Sequence, residues 1–480
     1  MFLALAILLL GAGFFARTPD TGGVALRDFE AYYAAGGTWH YHGDPYGREI
    51  WRVERQIPGV QAKRDELLPF VGPPFSLPLW EALSQLPWAW ACALWRAVMI
   101  AAFCAIVLGS LRLAAARIDR FDVVAALALG GTFAPLTSGV ALGQVAVPAV
   151  AAIVTIPLLL RVRFAYAATL GAIVAALQPN LAIVLAARLR EPRTWIAFSG
   201  ACAVVAGGSA VAMAGLGGIG HYFSVLRDHA EAERFIAIQT TVSGVARGLG
   251  ADGRLAGTIA FAVAIAVLAG ICVQLASRRY SATDLFAIAC AALPLALPFA
   301  HEHDFVIAVL PAVLVLRRAR GTAWLLAAIA AIALSVDWLG LAQREGSTPE
   351  AAAFAAACAC SLFVLASHHS KAMMALPLGA ALCVVAIAVP AAHHPLPTWP
   401  DRLPLAFHVE RTLPAAAVWQ AEQRVAGIAG LDPYWALLRL APLAGCALLW
   451  SVASVVFSAS ASSEPLSSAL GRPAASYPSA

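Results

Sequence analysis

The sequence is poor in charge. Only 12% of its 480 residues are Asp, Glu, Lys or Arg, whereas 61% are hydrophobic and the mean hydropathy is +0.78. A soluble protein carries about 25% charged residues, because its surface must be solvated however large its core is. The composition therefore excludes an ordinary soluble protein and indicates a polytopic membrane protein. The net charge of +5 is too small to indicate a nucleic-acid partner.

The cysteines lack the spacing of a metal site. Their number, nine, is odd, and each lies inside an apolar run rather than in a long polar loop. Cysteines in such runs behave as small buried hydrophobic residues. We therefore expect no redox role for Cys92, Cys104, Cys202, Cys272, Cys290, Cys358, Cys360, Cys383 or Cys446.

The N-terminus lacks both a positively charged segment and a small-residue cleavage site. The stretch MFLALAILLLGAGFF therefore indicates a retained first membrane helix rather than a cleaved signal peptide. Alternating β patterns are also absent, and backbone groups in lipid must bond internally, so the apolar runs predict an all-α bundle of about 12 to 14 membrane segments. The later runs are 88–111, 121–137, 145–160, 164–187, 195–216, 255–275, 282–300, 305–316, 323–341, 351–366, 372–392 and 440–457.

Arginine clusters in the short connections predict the orientation of the chain. With the N-terminus in the cytoplasm, every cluster falls inside if run 164–187 enters and leaves on one side. That run contains Gln178-Pro179-Asn180 at its middle, and a proline does not fit a helix interior, so we predict a broken hairpin there. The inside clusters are Arg112/Arg117/Arg120, Arg161/Arg163, Arg188/Arg190/Arg193, Arg278/Arg279, Arg317/Arg318/Arg320 and Lys371.

The same orientation assigns the long segments. Loops 17–87, 217–254 and 393–433 are expected outside, and both termini inside. The membrane domain is expected to span 1–458. The tail 459–480 is small, polar and low in complexity, which predicts a disordered cytoplasmic end.

The first outer loop, 17–87, carries a dense group of polar aromatic residues. Residues 27–47 read RDFEAYYAAGGTWHYHGDPYG and place Asp28 near Tyr32 and Tyr33. Tyr and Trp favour the membrane interface, so the apolar positions of this loop predict short helices lying in that interface. Asp28 would then lie at the bilayer boundary. We expect the Asp44-Pro45-Tyr46-Gly47 turn to be structural.

Polar residues from four segments are expected to meet at the outer face. Ionisable residues at membrane depth are costly and usually face a cavity, so their convergence predicts a single site. The segments contribute Asp28, Gln144 at a helix start, Gln178 and Asn180 at the hairpin tip, and His301-Glu302-His303-Asp304 at a helix end.

These groups also have structural interpretations. Asp28 can serve as the N-cap of a helix formed by FEAYYAA. The HEHD stretch can be a solvated helix junction, or part of a metal site. A divalent metal is not favoured, because His301 and His303 would point in different directions on a helix and no third ligand has suitable spacing.

Five elements of the sequence resemble glycosyltransferase family 87. The family includes α-mannosyltransferases that depend on polyprenol-phosphate-mannose, and it belongs to the GT-C superfamily of membrane glycosyltransferases. The similarity runs from Met1 to about Leu316. The elements are D-F-x-x-Y-Y-x-A from Asp28, the Gly-Asp-Pro-Tyr turn, Gly72-Pro73-Pro74-Phe75, Leu142-Gly143-Gln144 and the Gln-Pro-Asn helix break.

The resemblance implies a GT-C-like bundle with a lipid-linked sugar donor bound at the outer leaflet. It also implies an acidic catalytic base in the first outer loop, a position that Asp28 matches. His301 matches a histidine that the family places near the donor phosphate. Where the family has a lysine before the proline of the helix break, this sequence has the uncharged Gln178. No cofactor is expected.

Transfer from a polyprenyl-phosphate sugar suits these residues. The acceptor hydroxyl loses a proton as it attacks the anomeric carbon, and one carboxylate can accept that proton. The phosphate leaving group needs cations or hydrogen-bond donors. A single displacement would invert the anomeric centre. With Asp28 as base, the predicted binding residues are Tyr32, Tyr33, Gln144, Gln178, Asn180, Arg234, Arg247, His301, His303 and Asp304.

A transporter or flippase of lipid-linked sugars is the alternative. Transporters tend to place charges and broken helices near the midplane, often in two matched halves. Here the halves are unlike, and the polar groups are expected at one face. The favoured interpretation is a hexosyltransferase of the inner or plasma membrane. It would transfer a hexose, preferably mannose, to a lipid or glycan acceptor.

Overall fold

The protein, seen in a computed structural model, is built from α-helices joined by turns and short 3₁₀ segments. The structure describes residues 26–58, 68–114, 117–162, 165–236, 238–277, 279–335, 414–429 and 433–462. These residues contain no strand, and several of their helices are apolar enough to cross a membrane. The predicted all-α, polytopic membrane architecture is confirmed.

The helices divide the described chain into two halves. Those of the first half are α1 (Arg27–His40), α2 (Ile50–Glu54), α3 (Leu77–Ser84), α4 (Trp88–Ala114), α5 (Arg120–Thr132), α6 (Ala134–Leu142), α7 (Ala146–Arg161), α8 (Ala165–Ala175), α9 (Pro179–Ala182) and α10 (Pro192–Ala212). Those of the second half are α11 (Leu216–Glu233), α12 (Val242–Gly248), α13 (Gly253–Ala276), α14 (Ala282–Ala296), α15 (Val309–Arg318), α16 (Gly321–Leu334), α17 (Ala415–Val425) and α18 (Pro433–Ser462). The 3₁₀ segments are Pro74–Ser76, Ile183–Arg188 and Glu302–Ala308.

Four described helices are long and apolar enough to span a membrane, namely α4, α10, α13 and α18. Helices α5 and α6 form a fifth candidate if their bent pair counts as one span. This number is smaller than the predicted 12 to 14. Several predicted spans, among them α7, α8, α14 and α16, are apolar helices of 10 to 17 residues. The predicted runs 1–15, 351–366 and 372–392 lie outside the described residues.

The predicted break at Pro179 is confirmed. Helix α8 ends at Ala175 and α9 begins at Pro179, with the backbone of Gln178 in a non-helical conformation between them. The 3₁₀ segment Ile183–Arg188 then continues the returning half. The outgoing half packs against α7 and α10. Gln178 therefore lies at the far tip of a hairpin whose two ends carry arginines.

The arginine clusters meet at one end of the bundle. The Arg317 guanidinium pairs with Asp122 at 2.6 Å, and the Arg318 guanidinium pairs with Asp284. Two longer hydrogen bonds join the remaining connections, from Arg161 to Thr283 Oγ1 at 3.4 Å and from Arg190 to the Ser277 carbonyl at 3.2 Å. These contacts agree with the single parity predicted for the short connections. We call this the arginine end.

The polar residues predicted for the site lie at the opposite end of the same helices. Helix α7 begins two residues after Gln144 and ends at Arg161, so its 16 residues separate the two ends by about 24 Å. Helix α15 likewise follows Asp304 and ends with Arg317 and Arg318. Nearly all side chains of α7 and α15 are buried, so these two helices form the centre of the bundle. We call the opposite end the polar end.

The first outer loop contains short helices, as predicted, but its aromatic residues do not lie in an interface. Phe29 is fully buried between Trp88 and Trp95, with ring centroids 5.6 and 5.4 Å away. Trp80 is also buried and stacks on Tyr32 at 4.8 Å. The interfacial prediction is therefore wrong for these residues, because the rings pack against each other and against α4. Their packing fixes α1 on the bundle.

One close contact sets the distance between α1 and α3. Gly36 lies against the backbone of Trp80, and any Cβ at this position would collide with the Trp80 carbonyl group. The absence of a side chain at Gly36 thus allows the two helices to touch through their backbones. This contact brings the indole of Trp80 under Tyr32.

The Asp44-Pro45-Tyr46-Gly47 turn is structural, as predicted. Its Asp44 Oδ1 accepts a hydrogen bond from the Tyr46 backbone N–H at 3.0 Å, which is the usual way in which an aspartate stabilises a turn. The Tyr46 hydroxyl donates to the Gly72 carbonyl at 2.9 Å, and Asp44 Oδ2 contacts His221 Nε2 at 3.1 Å. The turn therefore ties the first outer loop to α11.

Candidate functional site

Asp28 faces the bundle rather than capping its own helix. Helix α1 begins at Arg27 with Leu26 as its N-cap residue, and no side chain caps it. The capping alternative for Asp28 is therefore wrong. Asp28 Oδ2 instead accepts a hydrogen bond from the side-chain amide of Gln144, a residue 116 positions further along the chain.

The amide of Gln144 is oriented from both sides. Its oxygen accepts the hydroxyl proton of Tyr32 at 3.2 Å, so its nitrogen is directed to Asp28. Gly143, whose φ of +76° suits glycine, ends α6 and turns the chain toward α7. The Gly143 carbonyl accepts a 2.8 Å hydrogen bond from Trp95 Nε1. The backbone on which Gln144 stands is therefore held by α4.

Asp304 forms a second polar centre at the same end. Its Oδ1 accepts a 2.9 Å hydrogen bond from Gln178 Nε2, and its Oδ2 accepts one from the His301 backbone N–H at 3.0 Å. Burial raises the pKa of Asp304, whereas His301 and the hydrogen bonds, including those from Gln178 and Asn180, act in the opposite direction. The tip of the broken hairpin is thus joined to the HEHD stretch. The solvated-junction alternative is wrong, since His303 and Asp304 are buried.

The two histidines of this stretch lie side by side. His301 has an extended backbone, with φ −96° and ψ 170°, and precedes the 3₁₀ segment. The rings of His301 and His303 therefore stack, with centroids 5.3 Å apart, instead of diverging as they would on an α-helix. The expectation that they point in different directions is wrong. Within the described ranges, no group of three His, Cys, Asp or Glu side chains is arranged to hold a metal ion.

Glu233, at the end of α11, is the carboxylate that faces His301. Its Oε2 lies 3.1 Å from His301 Nε2, and its Oε1 lies 3.5 Å from His229 Nε2. Gln239 Nε2 donates to Oε2 at 2.8 Å, while Trp419 Nε1 and Gln423 Nε2 donate to Oε1. Glu233 is almost completely buried. It therefore collects hydrogen bonds from α11, the segment after it and α17.

Electrostatics distinguishes the histidines. Burial lowers the pKa of His301, but the nearby Glu233 carboxylate outweighs burial and, with Asp304 and Asp28, raises that pKa to about 9. Burial and the charge of His301 lower the pKa of His303 to about 3. At neutral pH, His301 is therefore an imidazolium and His303 a neutral imidazole.

The two polar centres act on each other. Burial raises the pKa of Tyr32 well above its ordinary range, and the charges of both Asp28 and Asp304 raise it further. The charge of Asp28 also acts on His301 and His303. The structure therefore brings together residues from four predicted segments, namely Asp28, Tyr32, Gln144, Gln178, Asn180, His301, His303 and Asp304.

Three other predicted binding residues make their contacts elsewhere. The Tyr33 hydroxyl donates to the Leu86 carbonyl at 2.8 Å. Arg234 lies over the Phe235 ring and 3.6 Å from Glu231, and Arg247 lies over the same ring and donates to the Ala251 carbonyl. Their roles as ligands of a sugar or phosphate stay predictions.

Sequence reasoning missed Glu233. The residue belongs to the run LRDHAEAER, which has the composition of a solvated helix. The available signal was the four-residue spacing of His229 and Glu233, which places both side chains on one helix face. Their burial comes from α17, a helix nearly 190 residues further along the chain.

This arrangement can accept a proton and stabilise negative charge at one place. Asp28 is a carboxylate held by neutral partners, and the imidazolium of His301 lies near enough for Asp28 to act on its pKa. A substrate bound between them would meet a general base on one side and a cation on the other.

Comparison with known proteins identifies one family. Residues 70–298 match the sequence model of glycosyltransferase family 87. The match confirms the predicted resemblance, and its range includes Gln144, Gln178, Asn180 and Glu233. Comparisons with curated proteins and with solved structures find no match.

Proposed function

Because residues 70–298 are those of a family 87 glycosyltransferase, the protein is a membrane glycosyltransferase, and we propose that it transfers a hexose from a polyprenyl-phosphate sugar. The acceptor is a lipid or a glycan at the outer face of the membrane. Mannose is the favoured sugar, on the resemblance described above. The donor's own lipid brings it to the protein.

One observation carries this proposal, namely the Asp28 carboxylate held by Gln144 within the electrostatic reach of His301. Gln144 engages Oδ2, so Oδ1 is the oxygen that would receive a proton. Tyr32 fixes the amide from the other side at 3.2 Å, and so prevents it from rotating its oxygen toward Asp28. A base held in this way is already oriented before substrate arrives.

The proposed reaction is a single displacement. The acceptor oxygen forms a bond to the anomeric carbon, and the bond between that carbon and the phosphate oxygen breaks. The hydroxyl proton passes to Asp28, and the electron pair leaves with the phosphate. The configuration at the anomeric carbon is inverted.

Negative charge develops on the leaving phosphate, and His301 is the proposed partner of that charge. Its imidazolium supplies a charge-assisted hydrogen bond, which is stronger than one between neutral groups. Gln178 and Asn180 add neutral amides at the hairpin tip, where the family has a lysine. The cation at this site is thus carried by the HEHD stretch.

The test uses purified protein in detergent with a panel of polyprenyl-phosphate sugars and of lipid and glycan acceptors. We expect one donor, mannose-bearing in the favoured case, to release polyprenyl phosphate and to yield a product of inverted configuration. Asp28→Asn protein, treated identically, controls for contaminating transferases. Absence of release with every donor, together with movement of intact donor across sealed vesicles, would establish the flippase alternative.

A further inference from the structure

We propose that Glu233 is a positioning residue that orients His301 and holds it in its charged form at the donor phosphate. The proposal rests on the function proposed above. It assigns a task to a carboxylate that does not itself touch the reacting atoms. The geometry behind it is the 3.1 Å contact between Glu233 Oε2 and His301 Nε2, inside a buried group of side chains.

Glu233 is fixed in position by neutral hydrogen-bond donors. Trp419 and Gln423 donate to Oε1 from α17, and Gln239 donates to Oε2. Gln239 is itself held, since its Oε1 accepts the Ala300 backbone N–H at 3.1 Å. The backbone of the next residue, Thr240, donates to the Ala300 carbonyl at 2.7 Å. The carboxylate and the residue before His301 are therefore parts of one rigid unit.

A buried carboxylate needs a countercharge, because burying an unpaired charge is very costly. The hydrogen bonds from α17 and from Gln239 supply no positive charge. The two histidines beside Glu233 are the groups that can supply it. Burial raises the pKa of Glu233, but His229, His301 and the hydrogen bonds from His301 and Trp419 lower it to about 2. Glu233 is therefore ionised throughout the physiological range.

His301, not His229, carries the matching proton. Burial lowers the pKa of His229, while Glu233 acts on it only from 3.5 Å. Glu233 lies closer to His301, and Asp304 from the same stretch and Asp28 from α1 also favour its charged form. Of the other ionisable neighbours, His303 is neutral. One proton is thus placed on the ring that faces the proposed phosphate site.

The decisive measurement is the titration of His301 in the full-length protein. Selective ¹³C labelling of histidine and loss of one NMR signal in His301→Gln protein assign the resonance. In wild type we expect a titration midpoint well above the ordinary histidine value. In Glu233→Gln the midpoint should fall by about 1–3 pH units, the usual effect of a neighbouring opposite charge. Glu233→Asp should restore most of the difference.

Sugar transfer gives the second readout. In Glu233→Gln, the alkaline limb of the pH–rate profile should move down with the His301 midpoint. Transfer at pH 8 should then fall by about tenfold or more and recover at pH 6. Glu231→Gln, on the same helix but exposed and paired only with Arg234, is the matched control and should leave both readouts unchanged. Thermal unfolding in detergent is compared for all variants.

Several results would overturn the proposal. A wild-type His301 midpoint at or below 6.5 does so even if Glu233→Gln fails to fold. An unchanged midpoint in folded Glu233→Gln also does so. Uniform loss of transfer at all pH values, without a shift of the midpoint, would give Glu233 a structural role only. Failure of the proposed transferase function would leave the titration result standing, so the two failures are distinguishable.

Discussion

The arginine end and the polar end of the bundle solve the problem of carboxylates among apolar helices in different ways. At the arginine end, Asp122 and Asp284 each face an arginine, whose charge is permanent. At the polar end, Asp28 and Asp304 face the amides of Gln144 and Gln178, and Glu233 faces histidines.

The difference concerns which groups can exchange protons. An arginine keeps its partner carboxylate ionised and occupied, so such a pair stabilises structure and does no proton chemistry. An amide orients a carboxylate without neutralising it, and a histidine changes charge near physiological pH. The same acidic residue type is thus structural at one end and suited to catalysis at the other.

The largest expected effect is all-or-none and concerns which end faces outward. We expect a cysteine introduced by Gly59→Cys to react with an impermeant maleimide on intact cells, and one introduced by Arg320→Cys to react only after the membrane is opened. Both variants are made in a background without the nine native cysteines. The reverse labelling pattern would place the polar end inside and refute the proposed outer-face site.

Asp28→Asn should show the largest kinetic effect. The substitution keeps the size of the side chain and an oxygen for Gln144, but removes the proton acceptor. We expect normal thermal stability and a loss of transfer of about a hundredfold or more, the scale of a general base. Asp122→Asn is the matched change at the arginine end and should lower stability while leaving transfer per folded molecule unchanged. Normal transfer by Asp28→Asn would end its assignment as base.

Replacement of His301 should have the next largest effect. His301→Gln retains a donor for Glu233 but no charge, whereas His301→Ala removes both. We expect both variants to lose transfer by about 10- to 100-fold, because a donor to developing negative charge is lost. We expect His301→Ala to weaken turnover more than folding, as measured by initial rates and thermal unfolding on one preparation. Wild-type rates in both variants would remove His301 from the site.

The smallest kinetic effect is expected from Arg318→Gln. This change leaves the mostly buried Asp284 without its cation. The free energy of unfolding should fall by an amount between the ~1 kcal/mol of an exposed pair and the ~3–5 kcal/mol of a buried one. Transfer per folded molecule should change less than twofold. A tenfold loss of transfer at normal stability would contradict the division between the two ends.

Much of the fold and part of the site could be predicted from local sequence. Apolar runs locate the helices because their composition alone requires burial or lipid. Pro179 predicts the break because a proline cannot lie in a helix interior. The convergence of Asp28, Gln144, Gln178 and Asp304 followed from the parity of the arginine clusters, which needs no knowledge of packing.

What could not be predicted depends on contacts between distant segments. The burial of Glu233 requires α17, and nothing near residue 233 announces that helix. The stacking of His301 on His303 depends on one extended residue before a 3₁₀ turn, which periodicity does not reveal. The aromatic residues of the first outer loop have the composition of an interface. Only the sandwich of Phe29 between Trp88 and Trp95 shows that they form core.

The contact between α17 and Glu233 bears on the order in which the protein is made. A ribosome completes the whole family-matched segment, residues 70–298, long before it reaches Trp419 and Gln423. Until then the buried carboxylate lacks two of its hydrogen-bond donors. The nascent chain therefore acquires its base and its histidines early, and its final arrangement of charge late. Insertion of the last helices completes the enzyme.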